Sequence, residues 1–298
     1  MLVRLHAPFD LISDISLTSE DPKKYNVLIL PSPTCMSENQ VKVIEKFVKN
    51  SRGLIASYQV SLRNEYGDSL DNFALSRVLG VEYLGKMYGP LSWDYMKLIK
   101  NHPILEGLPM YSGVSKDILP SPEYCLMAKP HDENYVLARQ VTHMTSRYAQ
   151  LDETTELPTI IASNYGQGKV VYFTENFGGQ YWDYGFLDYV KIIDNSLRWV
   201  NLTELPVKLE GPEPMEVTTY KGDSWYLVFL ANYNFSVRRP SNSVHSTSNL
   251  SIKLKIDFTP SRVKALVQGS DLEFKSLNDE VTVMLPKIGE YEIVLIKE

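Results

Sequence analysis

Apolar residues recur along this chain with two different periods, and the change from one to the other divides it. The run Val27-Leu28-Ile29-Leu30 is continuous and halted by Pro31, the pattern of a buried strand. Ser37 with Gln40 three residues later forms a capping-box pattern, so a helix should start there. Val41, Ile44, Phe47 and Val48 then share one helical face, while Lys42, Glu45, Lys46 and Lys49 take the other. Gly53 closes that region, and Leu54-Ile55-Ala56 begins a second apolar strand. A second helix is expected over residues 71–79, stopped by Gly80, and a short strand over residues 9–12. Strand, helix, strand, helix at this spacing predicts a βαβα unit with a parallel sheet.

Residues 83–116 read as irregular, with Gly89-Pro90, His102-Pro103 and Leu108-Pro109 breaking any period. Strands are expected at 124–128 and 135–141, and a polar loop at 142–156. Residues 158–174 predict a hairpin, with Gly166 and Gly168 supplying positive φ in its turn. The segment ENFGGQYWDYG reads as a loop, followed by an amphipathic helix to about Val200 on which Phe186, Val190, Ile193, Leu197 and Val200 align. Residues 205–214, LPVKLEGPEP, read as a linker. Beyond it the period becomes two, with strands expected at 225–230, 251–257, 263–267, 281–285 and 291–296. The expected organisation is an α/β domain over 1–204, a linker over 205–214 and an antiparallel β-sandwich over 215–298.

Several function classes are disfavoured by composition. The formal charge of −6, with 30 basic residues scattered along the chain, argues against a nucleic-acid binder. Two cysteines, Cys35 and Cys125, make no disulfide framework and point to a reducing compartment. No apolar run reaches the ~18 residues of a membrane span, and Arg4, His6, Pro8 and Asp10 interrupt any signal peptide. The expectation is a cytoplasmic protein with no membrane or nucleic-acid partner and no cofactor. Its 19 tyrosines and four tryptophans suit sugar surfaces, subunit interfaces or an ordinary core.

The YNVLILP strand, the helix over residues 37–48, GLIASYQVSLRNEYGD and DNFALSRVLGVEYLG together carry a resemblance. It resumes at LPTIIASNYGQGKVVYFTENFGGQYWDYG and EVTTYKGDSWYLVFLANYN. These stretches resemble the trimerisation domain, and then the final domain, of the trimeric microbial β-galactosidases and related glycoside hydrolases. The resemblance implies a flavodoxin-like sheet of the class I glutamine-amidotransferase type, followed by the β-sandwich. It also implies a non-catalytic assembly module, working as a homo-oligomer (a trimer in the family) or beside a catalytic barrel chain. In the family a barrel, a first strand and a helix precede the segment corresponding to residues 9–12. Their absence leads to the expectation that another strand order compensates, or that this chain is the C-terminal piece of a longer or split glycosidase.

The residues that could carry chemistry are few. Amidotransferases need a cysteine on a strand-to-helix elbow. The corresponding stretch here is Ser57-Tyr58-Gln59-Val60-Ser61, and Cys35 lies after the wrong strand, where a half-buried structural role is expected. A retaining glycosidase needs two carboxyls about 5–5.5 Å apart. Glu175, Asp183 and Asp188 could lie near one another around the closing helix, while the expectation for Glu175 and Asp183 is that they cap that helix or pair with Arg and Lys. Phe177, Tyr181, Trp182, Tyr184, Phe186 and Tyr189 form an aromatic group in which rings could stack on sugars, with Gln180 and Asp183 binding hydroxyls. The same rings could simply pack. Candidate carbohydrate or interface residues are therefore Glu175, Gln180, Tyr181, Trp182, Asp183 and Tyr184, with a stand-alone carbohydrate-binding protein or glycoside hydrolase as the alternative function. His6, His102, His131, His143 and His245 are too dispersed for a metal site. Asn201 and Asn249 head glycosylation-type tripeptides.

Overall fold

A computed structural model describes residues 1–19, 22–90, 94–110, 117–142, 153–200, 204–211, 214–235 and 243–298. His143, Asn201 and most of the expected loop at 142–156 lie outside these residues. The chain forms two compact units, one of residues 12–203 and one that joins residues 1–11 to residues 204–298.

In the first unit the elements run α1 (Asp14–Ser19), β1 (Val27–Pro31), α2 (Glu38–Lys49), β2 (Gly53–Ser57), α3 (Ser76–Leu79), β3 (Val81–Tyr88), β4 (Tyr95–Leu98), β5 (Ile118–Pro120), β6 (Cys125–Pro130), β7 (Val136–Val141), β8 (Thr154–Tyr165), β9 (Gly168–Phe173), α4 (Phe177–Tyr184) and α5 (Leu187–Val200). Seven strands make one sheet in the order β1-β2-β9-β8-β7-β4-β5. Its first three strands are parallel, as the βαβα reading requires. The remaining pairs are antiparallel, so the sheet is mixed rather than parallel throughout. For β8–β9 the cause is their short connection, since a two-residue turn can only join antiparallel strands. β1 is an edge, paired on one side only among the described residues.

The α2 helix begins as its sequence predicts. Ser37 Oγ accepts the Gln40 N–H at 3.3 Å, and Gln40 Oε1 accepts the Ser37 N–H at 2.7 Å. Ile44, Phe47 and Val48 bury the apolar face against Leu28, Leu30, Leu54 and Tyr172. Each such side chain contributes about 1.5–3 kcal/mol by leaving water. Ser37→Ala leaves the Gln40 amide without its cap and should cost about 1 kcal/mol, measurable as a lower urea midpoint at unchanged slope.

Several expectations are corrected. Residues 9–12 form no strand. Leu11 is 91% exposed, and Ser13 Oγ accepts the Ser16 N–H at 3.0 Å, so the polar residues that follow start α1 instead. The helix expected over 71–79 shrinks to α3, because Asn72 turns its side chain to the Phe73 and Tyr83 amides. The irregular 83–116 stretch contains β4 and most of β3, whose largely exposed positions carry no alternation to read. In the hairpin turn only Gly166 has positive φ, at 59°. Gly168 is needed for closeness, since a Cβ there would overlap the carbonyl oxygens of Val48 and Arg52. Cys35 is exposed.

The second unit contains β10 (Val207–Glu210), β11 (Met215–Lys221), β12 (Trp225–Asn232), β13 (Thr247–Lys255), β14 (Arg262–Ala265), β15 (Ser270–Asp271), β16 (Phe274–Leu277), β17 (Glu280–Ile288) and β18 (Tyr291–Lys297). They form two antiparallel sheets, β10-β13-β17-β16 and β11-β12-β18-β14-β15. One apolar cluster draws on both, with Leu250, Ile252 and Val283 from the first sheet and Val217, Val228 and Val294 from the second. β10 falls within the segment read as a linker. Its buried Val207 and Leu209 alternate with exposed Lys208 and Glu210, a period of two hidden by the neighbouring prolines. Among the described residues no helix is long and apolar enough to cross a membrane.

Candidate functional site

The candidate region starts where β9 runs out. Phe173 ends the strand, Thr174 and Glu175 follow, and Asn176 caps a helix where the sequence predicts a loop. Two glycines depress helix propensity there. The helix forms because the Asn176 side chain accepts the Gly179 N–H at 3.2 Å and Gly185 ends it at φ 69°. Phe177 fixes it in place, stacked between Phe173 at 4.4 Å and Tyr189 at 4.1 Å.

The six sequence candidates separate into two groups. Glu175 is only 1% exposed and caps no helix. Its carboxyl makes a very short hydrogen bond with the Ser121 hydroxyl. Ser121 Oγ also lies 2.7 Å from Gln140 Oε1. A hydroxyl has one proton and cannot donate to both acceptors. In the observed amide orientation the chain of bonds is complete when neutral Glu175 donates to Ser121 and Ser121 donates to Gln140. Burial, reinforced by Asp94, pushes the Glu175 carboxyl up to about 8, with the Ser121 bond opposing. The neutral acid is thus the dominant form at neutral pH. Gln140 Nε2 is buried without a hydrogen-bond partner. Gln180 joins this group, its Nε2 donating to the Ser121 carbonyl at 3.3 Å, while Tyr189 donates its hydroxyl to the Pro120 carbonyl at 2.8 Å. Together these bonds tie α4 and α5 to β5.

The second group faces outward. Trp182 is 81% and Tyr184 67% exposed, Asp183 is exposed between them, and Tyr181 is half-buried. Tyr184 stacks on Phe186 at 5.6 Å. The aromatic cluster is therefore not one surface, because Phe177 and Tyr189 are buried core rings.

Ser121, Gln140 and Asp94 carry no signal in the sequence that marks them as site residues. They come from separate strands or their flanks and match no spacing rule; only the sheet order brings Ser121 and Gln140 to Glu175. Cys125 is buried beside Thr174 Oγ1 at 3.3 Å, and burial together with Glu175 pushes its thiol far up, so it is an inert thiol. Nor can Glu175 perform acid catalysis in this conformation, since no substrate can touch a carboxyl closed to solvent.

Two other features bear on chemistry. At the elbow after β2, Tyr58 adopts φ 52°, the left-handed geometry that a nucleophile would need. It carries a phenol there, with Tyr172 donating to its carbonyl at 2.8 Å, and burial raises its pKa further. A groove of about 840 Å³ also runs along residues 98–108 and Asp117. In it His102 packs on Trp199 at 5.1 Å, and burial with Lys169 and Lys100 keeps the imidazole below its ordinary value.

No family profile matches the chain, and no curated protein matches it in sequence. Solved structures do match its fold. An α-L-fucosidase isoenzyme 2 from Paenibacillus thiaminolyticus superposes with a TM-score of 0.69 at 19% identity, over 99% of this chain and 44% of the fucosidase. The β-galactosidase from Bacillus circulans sp. alkalophilus gives 0.62 at 16% identity, over 100% of this chain and 36% of that one. The β-galactosidase from Rahnella sp. R3 gives 0.61 at 16% identity, over 100% of this chain and 35% of its own. The chain thus spans less than half the length of the enzymes it matches. Along its whole length, it has the fold of one section of these β-galactosidases and of this fucosidase.

Proposed function

We propose that the chain is a non-catalytic assembly module of a β-galactosidase-like glycoside hydrolase. Its α/β unit corresponds to the flavodoxin-like trimerisation domain and its β unit to the final β-sandwich. The observation that carries this reading is coverage, since the complete chain superposes on one section of much longer glycosidases. The closed carboxyl of Glu175 fits it too, because that residue can tie α4 to the sheet but cannot reach a glycosidic bond. The exposed rings of α4 then serve assembly, either with further copies of this chain or with a catalytic barrel chain.

Light scattering on the purified chain, with and without Trp182→Ala, tests the proposal. Wild type should form a discrete oligomer that Trp182→Ala dissociates, with no turnover of a β-galactoside by either. A wild type that stays monomeric both alone and when mixed with a β-galactosidase catalytic barrel chain, or hydrolysis by the homogeneous chain, overturns it. The alternative reading is a carbohydrate site around Tyr181, Trp182 and Asp183, favoured by the 81% exposure of the indole beside an exposed carboxylate. Weakened sugar binding in an intact Trp182→Ala oligomer would support that alternative.

A further inference from the structure

The β unit carries a cleft of about 450 Å³ lined by Ser246, Val267, Gln268, Lys287, Gly289, Glu290 and Tyr291, none of them among the candidate site residues above. Its volume is within the ~300–1,000 Å³ range of small-ligand sites. The walls are held by polar side chains committed to that purpose. Glu292 is 0% exposed, and its carboxylate accepts the Val267 N–H at 2.8 Å and the Gln268 N–H at 3.3 Å. Asn232, 6% exposed, donates to the His245 carbonyl at 2.9 Å and the Gly289 carbonyl at 2.8 Å. Gln268 Nε2 donates to the Lys287 carbonyl at 2.5 Å. A buried carboxylate is costly unless its hydrogen bonds are satisfied, and here they fix a surface loop. The cleft is therefore built in advance of any ligand.

The groups presented into it are of mixed character. Tyr291, 54% exposed, contributes an aromatic ring and a hydroxyl to the lining, and Val267, 47% exposed, an apolar side chain. Lys287, Glu290 and Ser246 line the same cleft and bond through their side chains to no described residue. One ammonium and one carboxylate cancel, which disfavours a strongly charged ligand. A ring face beside unpaired donors and acceptors matches a molecule with an apolar CH face and hydroxyls that each donate and accept. A peptide fits less well, since the Val267 and Gln268 N–H groups and the Lys287 carbonyl are already occupied.

We propose that this cleft is a binding site for a neutral oligosaccharide, with Tyr291 as the stacking platform and Lys287, Glu290 and Ser246 on the hydroxyls. The assignment goes beyond the assembly reading and does not depend on it.

Gly289 permits a clean test. A Cβ there meets nothing within 4 Å, and its φ is not in the left-handed region, so a larger side chain can fill the cleft without straining the fold. The full chain is titrated with β-1,4-galactotetraose and, separately, with tetra-alanine, following backbone amide shifts. The expected result is saturable shifts at Val267, Gln268 and Gly289 with the tetrasaccharide only, at a Kd on the order of 1 mM. Tyr291→Ala should weaken binding about tenfold or more, and Gly289→Phe should abolish it. Shifts confined to the β unit, with none at Trp182 or Asp183, separate this site from the α4 surface. Should Gly289→Phe lose its dispersed spectrum, Lys287→Ala, exposed and unpaired, replaces it and should weaken binding. No saturable shift, binding retained in a folded Gly289→Phe or Lys287→Ala chain, or binding of the tetrapeptide instead would each overturn the proposal.

Discussion

Glu175→Gln is expected to make the chain more stable above neutral pH and to flatten its stability between about pH 5 and pH 8.5. The sign follows from proton counting. Folded, the carboxyl holds its proton up to about 8; unfolded, it loses it near the ordinary 4.5. Between those values the unfolded chain binds fewer protons, so stability falls as pH rises, and above the folded value the loss is complete. Each tenfold difference in proton affinity between the two states is worth about 1.4 kcal/mol, which puts the total on the order of 5 kcal/mol. Glutamine is neutral at every pH and can still donate to Ser121 Oγ in place of the carboxylic acid. Urea unfolding of both chains at about pH 5 and about pH 8.5 gives the answer as a difference in midpoint. His102, with its depressed pKa, acts in the opposite direction and is present in both chains, so it cancels in that difference. The exposed carboxylates held low by lysine or arginine partners, Glu204, Glu210, Asp257 and Asp271, lose their contributions only as pH falls through the acid range below this window. Parallel pH profiles for the two chains would remove Glu175 as the source.

Gly168→Ala is expected to be among the most damaging single-methyl changes in the α/β unit. The new Cβ would overlap two carbonyl oxygens, Val48 at the end of α2 and Arg52 just before β2. Neither is the end of a flexible side chain, so relief requires moving α2 or the β2–β9 pairing. A cost of about 3 kcal/mol or more follows, enough to reduce soluble yield severely. Gly178→Ala is the matched control. It lies in α4 with nothing within 4 Å of its Cβ, and it should add ~0.5–1 kcal/mol through helix propensity. Thermal denaturation of the two variants should move in opposite directions; equal shifts would show that glycine removal alone, and not the close approach, sets the effect.

Legibility differs sharply between elements. The α2 helix is readable to its capping box because its cap lies within a few residues, and the β8–β9 hairpin is readable as a hairpin, although its turn is the two residues 166–167 and only Gly166 takes positive φ. Strands β12, β13, β14, β17 and β18 are readable from alternation alone. The helix α4 is not, because its glycines argue for a loop and its formation depends on Phe177 entering a stack with Phe173 and Tyr189. β10 is concealed by prolines, and β3 by having too few buried positions to alternate.

The candidate sites follow the same division. Trp182 and Glu175 stand out as residues, but their opposite fates, one on the surface and one closed within the unit, depend on how α4 lies against the sheet. The Glu175–Ser121–Gln140 chain of bonds and the cleft lined by Tyr291 are invisible in the sequence, since the first joins residues from separate strands and the second sets the 287–291 turn beside Ser246, Val267 and Gln268. Local order along this chain is written in short-range periodicity, caps and turns, where the interacting groups are close in the chain. Protonation, closure and ligand access are decided only by tertiary packing, because they depend on which distant strands become neighbours and on how much water that packing excludes.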